Sequence, residues 1–242
     1  MSDEAARPVP STALAVVAHP DDVDFGMAGT LSRWVDHGCD VVYCIVTDGA
    51  AGGSDGELHH RMAQVREAEQ RAAAAVVGAS DVVFLGYPDG LLEVSLKLRF
   101  DITRVIREVR PDLILTQYPE RNFSRIYTSH PDHMAAGEAT LRAVYPDARN
   151  PFTFKELAAE GLEAHTVGEV WLSGAPAPDV FVDVTDEFER KIKALRCHES
   201  QVGGRPEAEF RARLVEWGER TARAGGLGEH RIAEAYLRVD TR

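Results

Sequence analysis

Ala13-Leu-Ala-Val-Val-Ala18 runs without a break into His19-Pro-Asp-Asp22, and the reading of this stretch decides the fold. Its first six residues are all apolar and of strand length. Continuous rather than alternating hydrophobicity is the mark of a strand covered on both faces, as in a parallel sheet flanked by helices. The polar residues follow at once, at what would be the carboxyl end of that strand. In open α/β sheets this is where ligands bind.

Working outward, the same grammar repeats. A helix is expected from about Ala28 to His37, stopped by Gly38, then a second buried strand over Val41–Val46. Asp48 to Gly56 is a glycine-rich loop, suited to a substrate rim that moves. His60–Val77 reads as a helix with Gly78 as its C-cap, and His59 and His60 as solvated residues at its start. Val82–Leu85 is a third strand, Leu96–Val109 a helix ended by Pro111, Leu113–Thr116 a fourth strand, and a helix begins near Pro131 after a polar loop. Strands alternating with helices define an α/β fold with a Rossmann-like, doubly wound, mostly parallel sheet. Beyond Asn150 the pattern loosens. Val170-Trp-Leu and Val180-Phe-Val read as strands, and Thr185 as the N-cap of a helix through Arg196. The tail from Arg205 is charged and helix-prone. One domain over residues 1–242 is expected, with a catalytic core of about 12–200 and a helical extension of about 201–242.

A chain of 242 residues buries roughly 70–75% of its unfolded surface, so a metal here would serve chemistry rather than folding. The net charge of −12 argues against nucleic acid as a partner, since phosphate binding depends on clustered Lys and Arg. Cys39, Cys44 and Cys197 make no CxxC and no disulfide framework. Met1 to Ser11 lacks the pattern of a secretory leader, and no apolar run approaches the ~20 residues of a membrane span. The expectation is a cytoplasmic protein with no membrane partner. Homo-oligomerisation is left open, with the strand-forming segment near Val180 as a surface that could pair subunits.

Two clusters concentrate unusual chemistry: Ala18-His-Pro-Asp-Asp22 after the first strand and Ser129-His-Pro-Asp-His133 before the helix at Pro131. Each opens on His-Pro, which fixes the bend and aims the following side chains. A catalytic zinc takes three protein ligands and keeps one position open. His19, Asp22 and His133 supply that set, with Zn²⁺ as the expected ion and Fe²⁺ as the alternative. Asp21 is the candidate general base. His130, one turn before His133, would stabilise an oxyanion or protonate a leaving amine, with Asp132 as its orienting partner. These residues together make a kit for amide hydrolysis.

Ala-His-Pro-Asp-Asp and His-Pro-Asp-His resemble the paired motifs of the LmbE-like N-acetylglucosaminyl deacetylases, the PIG-L superfamily. The likeness extends through Phe25-Gly-Met-Ala-Gly-Thr30, Thr47-Asp-Gly49, Arg66-Glu-Ala-Glu69 and Tyr87-Pro-Asp-Gly90, over roughly residues 13–200. It implies a small-molecule N-acyl amino-sugar substrate, probed first as N-acetyl, and the same ligand and base assignments. It also implies that Arg66 and Asp89 contact sugar hydroxyls. The chain departs from the family at Val23, where Glu is usual and Asp24 comes next, and at Ala28-Gly29, where Gly-Gly is common. Thr128 stands where the mycothiol branch has an oxyanion tyrosine. Tyr127 is displaced by one and is assigned to the substrate side. His198, in Cys197-His-Glu-Ser-Gln201, matches a recurrent element of bacterial relatives and is expected to cap a helix or meet another subunit.

Two His and a carboxylate also form the facial triad of non-haem iron oxygenases. The α/β pattern and the additional Asp21 and His130 favour hydrolysis. A non-catalytic ligand-binding module of Rossmann type would show GxGxxG after the first strand, and Ala-His-Pro-Asp-Asp occupies that place. A thiol-conjugate amidase or a natural-product deacetylase would use the same residues.

Overall fold

The computed structural model describes residues 9–53 and 59–242, without the side chains of His59 and Tyr127. The central strand β1 (Thr12–Val17) is fully buried from Ala13 onward and pairs in parallel with both β2 (Asp40–Thr47) and β4 (Leu113–Gln117). Helices α1 (Asp22–Gly26) and α2 (Ala28–Asp36) separate β1 from β2. Beyond β2 come α3 (Met62–Val77), β3 (Asp81–Tyr87) and α4 (Leu96–Val109), then β4 and α5 (Pro131–Arg142). The remaining elements are α6 (Lys155–Ala159), β5 (Glu169–Ser173), β6 (Val180–Asp183), α7 (Phe188–Arg196), α8 (Glu199–Val202), α9 (Glu207–Ala224) and β7 (Ala233–Asp240).

The seven strands lie in the order β3-β2-β1-β4-β5-β7-β6, the first five parallel and β7 antiparallel to both its neighbours. Side chains alternate across the pleat. Ala13, Ala15 and Val17 face a core completed by Leu31 and Trp34 of α2 and by Ala73 and Val77 of α3. Leu14 and Val16 face the opposite core, with Leu98, Ile102 and Ile106 of α4 and Ala136 and Ala139 of α5. Both faces being apolar explains why β1 reads as an unbroken hydrophobic run. A third cluster joins α7, α8 and α9 through Phe188, Leu195, Val202, Phe210 and Leu214.

The chain winds from β1 towards β3 on one side and from β1 to β4 and β5 on the other. The switch point between β1 and β4 opens a crevice at their carboxyl ends. Both motif loops leave the sheet there. Gln117, at the end of β4, ties the two together by accepting a hydrogen bond from the Ala18 N–H at 2.9 Å.

Two sequence expectations are corrected. The tail is not purely helical: after α9 the chain returns as β7 and inserts between β5 and β6. In Glu-Ala-Tyr-Leu-Arg-Val the aliphatic residues Ala235, Leu237 and Val239 alternate with Glu234, Tyr236 and Arg238. The short period is masked in sequence by the long charged helix before it. Thr185 does not cap α7, which begins at Phe188. Its hydroxyl donates to Asp183 at 2.6 Å and accepts from the Ile232 N–H at 3.0 Å, fastening the end of β6 to the start of β7. Among the described residues, no helix is long and apolar enough to cross a membrane.

Candidate active site

β1 ends at Val17, and the chain turns through His19 and Pro20 into α1. Asp21 sits at the turn with φ +96°, a left-handed conformation that costs a non-glycine residue on the order of 1–3 kcal/mol. The conformation aims Asp21 and Asp22 into the crevice. Across it, His130 is the N-cap of α5 and Pro131 its first residue, so His133 lies one turn in. The close approach of α5 to the sheet depends on Gly137, where a Cβ would come within 2.1 Å of the Gln117 carbonyl oxygen.

Three ligand-type side chains converge. His19 Nδ1 lies 3.2 Å from His133 Nε2 and 3.2 Å from Asp22 Oδ2, while His133 Nε2 lies 3.1 Å from Asp22 Oδ1. Corners of a tetrahedron around an ion bound at about 2.0–2.1 Å stand about 3.3 Å apart, so the spacing and the donor set fit a zinc-type site. The rings of His130 and His133 are 5.2 Å apart, and ring nitrogens of His19, His130 and His133 also group closely enough to share an ion. We favour the set that contains Asp22, because its carboxylate adds a negative charge and touches both imidazoles. The other nitrogen of His19, Nε2, meets Asp89 at 3.0 Å and Asp132 at 3.2 Å. Carboxylates behind a ligating imidazole fix its tautomer and raise its basicity.

The electrostatics follow from the crowding. Burial disfavours the His19 cation, but the hydrogen bonds and charges of Asp22 and Asp89 outweigh it and raise its pKa to about 10. Burial likewise opposes the Asp22 anion, yet His133 and His19 hold it well below the usual carboxylate range. Asp21 goes the other way. Burial and the adjacent Asp22 charge push it up to about 7, against the pull of Arg66, His198 and His19. His130 is lowered by partial burial and by its two imidazole neighbours.

The structure brings Asp21, His19, Asp22, His130 and His133 together, and it redistributes the partners of the rest. Asp132 does not orient His130 through its carboxylate. That carboxylate is fully buried on His19 and accepts from the Gly90 and Leu92 N–H groups at 2.7 and 3.2 Å. Its backbone N–H donates to His130 Nδ1 at 3.2 Å, and its charge favours the His130 cation from a distance. The proton of a neutral His130 therefore sits on Nε2. Arg66 and Asp89 both line the crevice and are held there by protein groups. Arg66 is 4% exposed, donates to the Pro20 and Gly49 carbonyls, and lies 3.2 Å from Asp21. Asp89 accepts from Ala51 N–H and pairs with His19. The Tyr127 side chain and residues 54–58 of the glycine-rich loop lie outside the described residues. His60 is exposed. His198 stands at the N-cap position of α8, where its carbonyl accepts from the Gln201 and Val202 N–H groups, while its side chain makes no capping bond and is fully buried against Asp24 at 2.8 Å. Sequence reasoning missed Gln70 and Gln117, whose amide oxygens both hold the first motif, at the Asp21 and Ala18 N–H groups. Neither has a local pattern that marks it.

A cavity of about 480 Å³ leads away from Asp22 and His133, walled by Phe25, Met27, Phe181, Leu214 and Trp217. Its size is that of a small-molecule site.

Fold and site together define an α/β protein with a His/Asp constellation at its topological switch point. The chain belongs to the PIG-L family: residues 14–144 match the family model described as GlcNAc-PI de-N-acetylase. It is 36% identical over 189 residues to a diacetylchitobiose deacetylase of Thermococcus kodakarensis, covering 78% of this chain and 69% of the relative. A probable N-acetyl-alpha-D-glucosaminyl L-malate deacetylase 2 of Bacillus cereus is 32% identical, with 78% and 82% covered. Among solved structures, N,N'-diacetylchitobiose deacetylase from Pyrococcus horikoshii superimposes with a TM-score of 0.87 at 28% identity, over 96% of this chain and 85% of that one. The 4-carboxy-2-hydroxymuconate hydratase GalB from Pseudomonas putida shares the fold, with a TM-score of 0.78 at 22% identity over 96% and 97%.

Proposed function

We propose that this protein is a metal-dependent N-deacetylase that hydrolyses the acetamide of a GlcNAc-containing small molecule, with a diacetylchitobiose-like disaccharide as the first substrate to try. The observation that carries this reading is the triangle of His19, Asp22 and His133 at 3.1–3.2 Å with Asp21 beside it, in a chain 36% identical to a diacetylchitobiose deacetylase.

His19, Asp22 and His133 would hold the ion, with Zn²⁺ expected and Fe²⁺ the alternative. Such an ion, when bound, lowers the pKa of water from about 15.7 to about 7 and polarises an amide carbonyl. Asp21 collects the proton of the attacking water, and the Arg66 guanidinium at 3.2 Å favours its ionised form. His130, holding its proton on Nε2, donates a hydrogen bond to the developing oxyanion. Asp21 then returns its proton to the departing amine. Asp132 and Asp89 act through His19, fixing its ring.

The test is metal content of the purified protein together with amine release from N,N'-diacetylchitobiose, for wild type and Asp21→Asn. Asn is the better probe than Ala because it tolerates the left-handed backbone at this position. The reading requires about one divalent ion per chain in both proteins and turnover lost in the variant. A wild-type protein that binds no Zn²⁺ or Fe²⁺ would overturn it. Bound metal without amine release from this disaccharide, GlcNAc or GlcNAc-malate would move the error to the substrate.

A further inference from the structure

The peptide that joins Pro20 to Asp21 has two polar atoms, and one helix holds both. Its carbonyl oxygen accepts from Arg66 Nη2, and its N–H donates to Gln70 Oε1 at 2.8 Å. Arg66 and Gln70 are four residues apart on α3, so their side chains rise from the same face one turn apart. Behind them the chain of bonds continues inward. Gln70 Nε2 donates to Asp24 Oδ2 at 2.8 Å, and His198 Nε2 meets the same oxygen at 2.8 Å. Gln70, Asp24 and His198 are all fully buried. The carboxylate on Asp24 decides which way the Gln70 amide faces: its NH₂ must point at Asp24, which leaves its carbonyl for Asp21.

We infer that Gln70 is a positioning residue for Asp21, with Asp24 and His198 fixing its orientation. The unit is a clamp that keeps Asp21 in its left-handed conformation with the carboxylate in the crevice. The Pro20–Asp21 peptide is the last rigid plane before that residue. Pinning both its oxygen and its hydrogen fixes the direction in which Asp21 leaves it. This assignment rests on the reading of Asp21 as general base for its kinetic consequence, but not for its structural one. A network present merely to fill the core would leave the Pro20–Asp21 peptide out of its bonds.

Gln70→Met removes both amide bonds at nearly constant shape. A crystal structure of the variant should show Asp21 leaving positive φ and its carboxylate withdrawn from Arg66 and Asp22. An unchanged Asp21 would overturn the clamp, whatever the protein's substrate. With diacetylchitobiose, kcat should fall about a hundredfold with KM and metal content retained, since misplacing a catalytic group by 1 Å costs about that much. The double variant with Asp21→Asn should lose no more than Asp21→Asn alone, because Gln70 acts only through Asp21. A purely structural role would instead lower the melting temperature, leave kcat of the folded protein intact and add to the Asp21 effect. Should Gln70→Met fail to fold, amide exchange on the wild type decides. The Asp21 N–H must be protected as strongly as core strand amides, and rapid exchange there would sink the proposal. If the wild type releases no amine at all, the function reading fails, while the variant structure and the exchange rate still judge the clamp.

Discussion

Asp21 and Asp22 are adjacent carboxylates in one crevice, and their neighbours push them apart. Asp22 touches two imidazoles and is held ionised, whereas Asp21 is raised by burial and by Asp22 itself, with Arg66 as its counterweight. Such a split assigns different roles to similar groups. His130 is distinguished in the same way, by the Asp132 N–H that takes up its Nδ1 lone pair. His130→Ala is therefore expected to lower kcat by about 10²–10³-fold, the typical cost of one lost oxyanion donor, with KM and bound metal little changed. Steady-state kinetics with metal analysis checks this. An equal loss of metal would make His130 a ligand instead. At this scale the sequence pointed to the residues that converge in the crevice, because His-Pro-Asp is a local pattern. Partners were not legible: the Asp132 carboxylate was expected on His130 and lies on His19.

α5 carries His130 and His133 on a helix start pressed against the end of β4. Gly137 makes the approach possible, since any Cβ there would lie 2.1 Å from the Gln117 carbonyl oxygen. Gly137→Ala must shift α5 outward, and overpacking of this kind costs about 1–3 kcal/mol. His133 moves with the helix, so we expect weaker Zn²⁺ binding as well as a lower denaturation midpoint. Titration with a chelator and urea unfolding read the two effects separately, and a destabilised variant with unchanged metal affinity would detach Gly137 from the site. Apart from the five-residue α1, too short to show a period, the helices and strands up to α5 were readable from their periods and their Gly and Pro punctuation. The start of α7 was not, because the Thr185 hydroxyl found partners in β6 and β7 instead of in the helix that follows it.

Across the whole molecule, β7 ties the end of the sheet to the start of α2. Glu234 accepts from the Gly29 and Thr30 N–H groups at the start of α2 and pairs with Lys191 Nζ at 2.5 Å, all buried. Lys191 also donates to the Phe25 carbonyl at 2.6 Å. Glu234→Ala leaves that lysine buried without its counter-charge, a change that typically costs about 3–5 kcal/mol, and thermal unfolding should register it. A small effect would mean that water reaches Lys191 in the folded protein. GalB, named a hydratase, shares this architecture with proteins named deacetylases, so chemistry rests on side chains and not on the fold. What the sequence determined by itself was the parallel α/β class and the residues that meet at the crevice. Apolar period, turn chemistry and motif spacing are local properties, and a strand buried on both faces announces itself. The orientation of those residues was decided only in the folded chain. Gln70 reaches Asp21 across 49 positions, His198 reaches Asp24 across 174, and Glu234 reaches Thr30 across 204. A hydrogen bond carries no mark in either partner until packing has brought the two together.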